Sequence, residues 1–194
     1  MISKIIKNNK NHIIFIALLF LVCVFVLKDY VIGSYWVPMR GDQELEGTGT
    51  DFAYHASNFY MLKEALAGFN IPLWSPYTLG GMPFFAKPQV QVFNLSWLLL
   101  LIAPTSWLGL KWSFIAHLFL AGLGMYLFMH LYTKYDHKIC FLSALIYMLN
   151  GNLLGEIVSG HMNVVNVYAW LPFIILFTFL ALGNQNWLIY SILG

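Results

Sequence analysis

Carboxylates that could do chemistry are concentrated in one segment of the chain. Six of the eight acidic residues lie between Lys28 and Val92, and two of them, Asp42 and Asp51, stand beside turns rich in glycine and threonine. A carboxylate in such a turn can act as a general base or bind a hard divalent cation such as Mg²⁺ or Mn²⁺, which prefers oxygen ligands. The simpler interpretation is a solvated, acid-rich loop.

A second pair of ionisable residues interrupts an otherwise apolar stretch. Glu156 and His161 lie in GEIVSGH and are five residues apart, so one continuous helix would not place them on the same face. The glycines within this stretch indicate that a helix ends there. Ionisable groups in apolar surroundings are costly and suggest a function, with Asp51 or Lys87 as the expected partner. The alternative is a polar loop between two helices.

Lys87 is the candidate for binding an anion. It lies in FFAKPQVQ, at the point where polar sequence gives way to an apolar run. An ammonium group at that point is suited to a phosphate. The alternative is an ordinary lysine anchor at the membrane surface.

Several other reactive or aromatic side chains are interpreted as structural. Cys23 and Cys140 lie in apolar runs and are expected to be buried, without forming a disulfide. His117 and His130 are thirteen residues apart and are interpreted as packing or interfacial residues, not as a metal-binding pair. Four tryptophans fit an aromatic belt at the membrane surface: Trp36, Trp74, Trp97 and Trp107.

The overall composition predicts the fold that holds these reactive side chains. Hydrophobic residues make up 60% of the chain, charged residues make up 9%, and the mean hydropathy is +0.71, whereas a soluble domain has roughly 25% charged residues. The apolar residues form continuous runs, not the alternating pattern of a barrel. We therefore predict an all-α fold, a polytopic bundle of transmembrane helices with a long first extracytoplasmic loop that contains short interfacial helices.

The same composition excludes several classes of function. A net charge of +2 and the lack of a basic cluster interleaved with aromatics argue against nucleic acid as a partner. The sequence also contains no nucleotide-binding loop, nucleophile elbow, HExxH or CxxC motif. Membrane lipid is the partner that the composition predicts directly.

The order of segments predicts a multi-pass protein of the cell membrane. Residues 1–12 are basic and are expected in the cytoplasm, because positive charge flanking a first helix favours that side. The next segments are a first transmembrane helix at 13–27 and an extracytoplasmic loop at 28–92, in which 51–66 forms an amphipathic helix with Asp51 as its N-cap. Residues 93–194 form the remaining transmembrane region, which ends within an apolar run and so is expected to be truncated at its C-terminus.

The topology after residue 90 depends on one apolar run. Residues 90–103 number only fourteen and form either a short span or a re-entrant segment. If they do not span, residues 133–138 face the cytoplasm, and Glu156 and His161 face the same side as the acidic loop. Two lysines against one aspartate in 133–138 favour this second arrangement. The later runs, 110–132, 139–158 and 164–182, are each expected to cross the membrane.

The order of these features resembles the YfhO-like family of membrane proteins, which belongs with multi-spanning glycosyltransferases of the GT-C type. The shared features begin with Asp51 and continue with an amphipathic helix and a PLW-x-P turn at 71–76. They end with a GG-x-P turn at 80–83 before the chain re-enters the membrane. The segments LAGLGMYLFMHL (120–131) and GHMNVVNVYAWLPFIIL (160–176) are also similar to that family.

This resemblance implies an activity and a set of residues. The family's reaction would transfer a sugar from a polyprenyl-phosphate carrier to a glycan, lipid or protein acceptor on the outer face of the membrane. It would use an acid of the first loop as catalytic base, and Asp51 matches, with Asp42 as its rival because the loop has no DxD pair. Glu156 would assist, if it faces outward, and a divalent metal, Mg²⁺ or Mn²⁺, on Asp51 and Glu156 is left open. The expected substrate-binding residues are Lys87, His161, His55, Trp74 and Tyr54.

Two other functions are compatible with the sequence. In a transporter or flippase subunit, Glu156 and His161 would serve ion coupling near the middle of the membrane, but such proteins contain an internal repeat and none is evident here. The other is a non-catalytic truncated membrane protein. The last apolar run begins at Trp187 and contains only eight residues up to Gly194, where the sequence ends.

Overall fold

The computed structural model describes residues 10–28, 49–77, 80–90, 94 and 96–183. These residues form mainly helix, as the sequence predicted, with one short hairpin. Asp42 lies outside the described residues. The elements are α1 (Lys10–Val26), α2 (Gly49–Ala67), β1 (Trp74–Ser75), β2 (Met82–Pro83), a 3₁₀ turn (Pro88–Val90), α3 (Ser96–Ile102), α4 (Ser106–Leu131), α5 (His137–Met148), α6 (Gly151–Ser159) and α7 (Met162–Leu182).

Two of these helices are long and apolar enough to cross a membrane. They are α4, with 26 residues, and α7, with 21 residues. The pair α5 and α6, which meet at a bend of 43°, adds a third crossing if the pair acts as one broken span. Large apolar side chains on these helices are exposed, among them Ile146 and Val167. Such side chains are favoured in lipid and costly in water, so this exposed apolar surface is consistent with a membrane protein.

The part of the apolar run 90–103 that the structure describes contains no helix long enough to span a membrane. Its helix, α3, has seven residues, which is about 10 Å of rise, whereas the hydrocarbon core is about 30 Å thick. The Asn94 side chain caps α3, since its Oδ1 accepts hydrogen bonds from the Ser96 backbone N–H at 2.9 Å and from the Ser96 hydroxyl at 2.8 Å. Of the two alternatives that the sequence left open, the structure excludes a straight helical span.

The apolar run 139–158 contains a break between two helices, α5 and α6, because the chain bends at Asn150. The Asn150 Oδ1 accepts a hydrogen bond from the Leu153 backbone N–H at 2.9 Å, and its Nδ2 donates to the Tyr147 carbonyl at 2.5 Å. Asparagine side chains compete with the helical backbone in this way. The side chain of Asn150 therefore interrupts the helix after α5 and caps the start of α6.

The chain divides into two compact units. We call residues 1–28, 115–155 and 164–194 the bundle unit, and residues 29–114 and 156–163 the loop unit. In the bundle unit, α1 packs against α5, with the rings of Phe15 and Phe141 5.2 Å apart. Cys23 and Cys140 are buried and unpaired, as the sequence predicted.

One end of the bundle unit collects three helix termini. His12 in the first turn of α1 contacts His130 in the last turn of α4 and His137 at the start of α5, with ring centroids 4.3 Å apart in both pairs. Residues 133–138 therefore lie at the same end as the start of α1. This is the arrangement expected if the segment 90–103 does not cross the membrane.

The loop unit is organised around α2. This helix buries Ala56, Phe59 and Leu62, and it covers the range 51–66 in which the sequence predicted an amphipathic helix. Its start differs from the prediction, because the helix begins at Gly49 and Asp51 lies in the first turn and is not the N-cap. Near the other end, the Lys63 ammonium donates hydrogen bonds to the carbonyls of Ala103 and Pro104, which joins α2 to the end of α3.

The hairpin of the loop unit follows from the predicted turns. Trp74 pairs with Pro83 and Ser75 pairs with Met82, in antiparallel register. Gly81 has a φ of +121°, and a Cβ there would lie 2.8 Å from the Trp74 ring. Only glycine satisfies both the backbone angle and this close approach.

Candidate functional site

The turn between α6 and α7 brings Glu156 and His161 together. Helix α6 ends at Ser159, and Gly160 takes a left-handed φ of +79°, which is the conformation that commonly ends a helix at glycine. The backbone N–H of His161 then donates to the Glu156 carbonyl at 3.0 Å. As a result the His161 Nδ1 lies 2.5 Å from the Glu156 Oε2. A helix alone would have kept these two side chains on different faces.

Asp51, in the first turn of α2, contacts the other side of the same imidazole. Its Oδ2 lies 3.1 Å from the His161 Nε2, so His161 lies between two carboxylates. The expectation that Asp51 is the partner of Glu156 and His161 matches this geometry. The side chain of Asp51 is 55% exposed and that of Glu156 is 25% exposed. The three groups form a chain of hydrogen bonds that runs from an accessible carboxylate to a less accessible one.

The proton content of this chain follows from its donors and acceptors. An ionised carboxylate only accepts hydrogen bonds, so an imidazole between two of them donates from both nitrogens and is then an imidazolium. The alternative distribution places one proton on a carboxyl group and leaves His161 neutral. Moving a proton between these two states requires no rearrangement of heavy atoms. The group of Asp51, Glu156 and His161 is therefore suited to proton transfer.

His55 lies one helical turn after Asp51 and is buried, with 6% of its surface exposed. Burial lowers the pKa of His55, and the neighbouring His161 lowers it further, while Asp51 acts in the opposite direction. The cause that dominates is desolvation of the charged imidazolium. His55 is thus a neutral imidazole beside the chain of hydrogen bonds at physiological pH.

Tyr54 and Lys87 lie next to this group. The Lys87 ammonium is 5.0 Å from the centroid of the Tyr54 ring, a distance typical of a cation–π contact. The Tyr54 ring meets His55 edge-on at 5.4 Å, and its hydroxyl is buried without a hydrogen-bond partner among the described residues. Tyr54 therefore connects the lysine to the start of α2.

The structure thus places most of the predicted site residues on α2, near the end of α6, in the turn after α6, or against a side chain of α2. Trp74 is separate in this respect, since it lies over Gly81 in the hairpin and is 57% exposed. Asp42 cannot be compared, since it lies outside the described residues. The residues linked through α2 and the turn after α6 are Asp51, Tyr54, His55, Lys87, Glu156 and His161.

The arrangement does not fit a metal ion held jointly by Asp51 and Glu156. The imidazole of His161 separates the two carboxylates, which each face one of its nitrogens. Mg²⁺ and Mn²⁺ need oxygen atoms that converge on one point. We therefore assign no step of the chemistry to a metal at this site.

A cavity of about 440 Å³ lies on another face of α2. None of the predicted site residues lines it. The lining residues are Ala56, Ser57, Asn58, Tyr60, Met61, Ser75, Tyr77, Ser106 and Trp107.

The sequence interpretation missed one cluster of reactive side chains, in the bundle unit. His130 was interpreted as a packing or interfacial residue, His137 was placed only on the cytoplasmic side with its neighbouring lysines, and His12 was not considered. All three histidines lie within one turn of a helix end. The predicted topology places these three helix ends on the same side of the membrane. That common position is the signal that could have brought them together in advance.

Comparison of the chain with protein-family models, with curated proteins and with solved structures gave no match. The family resemblance therefore stays a prediction from the sequence. A functional proposal for this chain is supported by that resemblance and by the geometry of Asp51, His161 and Glu156.

Proposed function

We propose that this chain is part of a membrane glycosyltransferase of the GT-C type, resembling the YfhO-like family. Its reaction transfers a sugar from a polyprenyl-phosphate carrier to a hydroxyl of a glycan, lipid or protein acceptor. The observation that carries this proposal is the chain of hydrogen bonds Asp51–His161–Glu156, because it equips an accessible carboxylate of the first loop for proton transfer.

Asp51 is the general base in the proposed reaction. It accepts the proton of the acceptor hydroxyl as that oxygen bonds to the anomeric carbon of the sugar. The bond from this carbon to the phosphate oxygen breaks, and its electron pair leaves with the polyprenyl phosphate. The Nε2 of His161 holds the Asp51 carboxylate in place, and Glu156 fixes the imidazole from the other side.

Lys87 is the group that offsets the charge of the departing phosphate. Its ammonium lies over the ring of Tyr54. Tyr54 is one turn of α2 after Asp51. A fixed positive charge near a leaving phosphate stabilises the transition state more than the ground state. Lys87 supplies this charge in the proposed mechanism without a metal ion.

The reaction requires a topology in which the site faces outward. We place the start of α1 and residues 133–138 in the cytoplasm, since positive residues favour that side and Lys10, Lys134 and Lys138 lie in these two segments. If the bent pair α5–α6 crosses the membrane once, His161 is then on the outer side. The protein is in this proposal a multi-pass protein of the cell membrane with a cytoplasmic N-terminus.

The test is a transfer assay with an Asp51→Asn variant. Membranes containing the protein are supplied with radiolabelled polyprenyl-phosphate hexoses, and label in glycan, lipid and protein fractions is counted. Loss of a general base lowers the rate by about 100- to 10,000-fold, so we expect the variant to lose measurable transfer.

Glu64→Gln is the matched control, because Glu64 is an exposed acid on the same helix and lies about 20 Å further along it. It should transfer at the rate of the unmodified protein. Transfer that survives in Asp51→Asn, at equal protein level and with an unchanged elution profile in detergent, would remove Asp51 from the mechanism.

A further inference from the structure

Three histidines of the bundle unit meet at one point. They come from three helix ends: His12 from the first turn of α1, His130 from the last turn of α4 and His137 from the first position of α5. The ring centroids of His130 and His137 are 4.8 Å apart, and each ring is 4.3 Å from that of His12. One ring nitrogen of each residue lies within 4.8 Å of the corresponding nitrogens of the other two.

We propose that His12, His130 and His137 bind a transition-metal ion of the zinc class. Neutral imidazole nitrogens are ligands that suit Zn²⁺, Cu²⁺, Ni²⁺ and Co²⁺, whereas Mg²⁺ and Ca²⁺ prefer oxygen. Three protein nitrogens leave a further coordination position for water or another small ligand. This site uses none of the residues assigned to sugar transfer, so its existence does not depend on the proposed function.

The distances allow such a site to close with small movements. Three points no more than 4.8 Å apart lie within about 2.8 Å of a common centre, and a zinc–nitrogen bond is about 2.0–2.1 Å long. Each nitrogen therefore has to move inward by less than about 1 Å. Rotation of the imidazole rings about their side-chain bonds supplies a shift of that size.

Tyr126 is positioned to orient two of the ligands. It is fully buried, and its hydroxyl lies 3.0 Å from the Nδ1 of His12 and 3.1 Å from the Nδ1 of His137. A metal ion bound through the Nε2 of both histidines leaves both contacts in place, since the tyrosine oxygen can accept two N–H donors. Hydrogen bonds of this kind fix the tautomer and orientation of metal-binding histidines.

His130 supplies a second, independent observation. Its Nδ1 is buried and has no hydrogen-bond partner among the residues that the structure describes. A buried polar nitrogen without a partner is costly. Coordination of a metal ion by this nitrogen removes that cost.

The consequence for the fold is a clamp between three helices. The ion would join the start of α1 to the end of α4 and the start of α5, which are otherwise held by apolar packing and by the contacts of Tyr126. We expect metal binding to raise the temperature at which the protein unfolds, since the ion binds the folded arrangement of three separate helix ends.

The experiment uses untagged protein, purified in detergent and stripped with a chelator. Zn²⁺ is titrated in competition with a chromophoric chelator, and X-ray absorption is recorded on the zinc-loaded protein. We expect one Zn²⁺ per chain, with three imidazole nitrogens at about 2.0–2.1 Å. Zn²⁺ should also raise the unfolding temperature of the unmodified protein.

Variants assign the ligands. His12→Ala, His130→Ala and His137→Ala should each weaken binding by more than the roughly 10- to 100-fold that loss of an outer hydrogen-bond partner costs, and Tyr126→Phe should weaken it within that range. His117→Ala is the matched control, because His117 lies on the same helix as His130 but outside the cluster, and it should bind Zn²⁺ as tightly as the unmodified protein.

Three results would overturn the proposal. Two concern the unmodified protein and do not depend on any variant folding: the absence of zinc binding, and an absorption spectrum without imidazole ligands. The third is zinc binding that persists at full affinity when all three histidines are replaced. In each case the cluster is a hydrogen-bonded packing arrangement around Tyr126.

Discussion

At the scale of single residues, the candidate site combines two histidines in different environments. His161 is partly exposed and lies between two carboxylates, whereas His55 is buried. Burial disfavours the charged imidazolium of His55 and lowers its pKa, so His55 links the stability of the loop unit to pH.

His55 makes the stability of the loop unit depend on pH. Because burial lowers its pKa in the folded state, the unfolded chain takes up a proton first as the pH falls below the unperturbed value of about 6.5. Stability from neutral His55 is thus complete above that pH and is lost as the pH falls towards the lower, folded pKa. We therefore expect the temperature at which the protein unfolds to decrease as the pH is lowered from about 7.5 to about 5.5.

The His55→Gln variant isolates this contribution. It keeps a polar side chain that cannot take up a proton, so its unfolding midpoint in detergent should fall less over the same pH interval. Tryptophan fluorescence during heating measures both proteins. An equal loss in the variant and in the unmodified protein would show that other groups cause the pH dependence.

At the scale of elements, the hairpin of the loop unit depends on its two glycines in different ways. Gly81 has a φ of +121° and lies against the Trp74 ring, whereas Gly80 has a φ of +75° and open space where a Cβ would lie. Replacing Gly80 by alanine would strain the backbone, which is left-handed there, but would cause no side-chain clash. Alanine at Gly81 meets both backbone strain and a side-chain clash.

We therefore expect Gly81→Ala to destabilise the protein more than Gly80→Ala. Left-handed backbone alone costs roughly 1–2 kcal/mol for an L-residue, and the Gly81 variant should lose at least about 1 kcal/mol more through strain and displacement of the ring. Chemical denaturation of the two variants in the same detergent compares them directly. Equal losses would mean that the Trp74 ring moves away freely.

The elements differ in how far the sequence could predict them. The pattern of apolar residues and turns was enough to predict that α1, α2, α4 and α7 exist, because each of these helices corresponds to one uninterrupted segment of the sequence. The break at Asn150 was missed, since it depends on a side chain that bonds to nearby backbone groups, and apolar periodicity does not register such bonds. The start of α2 was misplaced by two residues, because aspartate is favoured both at the N-cap and within the first turn of a helix.

The candidate site shows the same limit at longer range. Sequence reasoning selected Asp51, Glu156 and His161 individually, and it proposed Asp51 or Lys87 as the partner. The choice between these partners required the left-handed turn at Gly160, which directs His161 back to Glu156 and leaves its Nε2 for Asp51. The histidine cluster was not predicted, because His12 is separated from His130 and His137 by more than a hundred residues of sequence.

At the scale of the whole molecule, the proposed sugar transfer depends on which side of the membrane each helix end faces. The start of α1 and residues 133–138 share one end of the bundle unit, and both are rich in lysine. The catalytic proposal places Asp51 and His161 together on the outer side. This joint position is the central claim, since sugar transfer from a lipid carrier requires both residues at the same accessible site.

The most direct measurement uses paired cysteines at positions 51 and 161. Asp51→Cys and His161→Cys are introduced together after Cys23 and Cys140 are replaced by alanine, and intact cells are treated with a short, membrane-impermeant bifunctional maleimide. The account predicts that the two positions are cross-linked from outside the cell, as detected by mass spectrometry. The control pair, Glu64→Cys with His161→Cys, should not be cross-linked, since Glu64 lies about 20 Å along α2 from Asp51. Labelling only after the cytoplasmic side is exposed, or no cross-link between 51 and 161, would contradict the account.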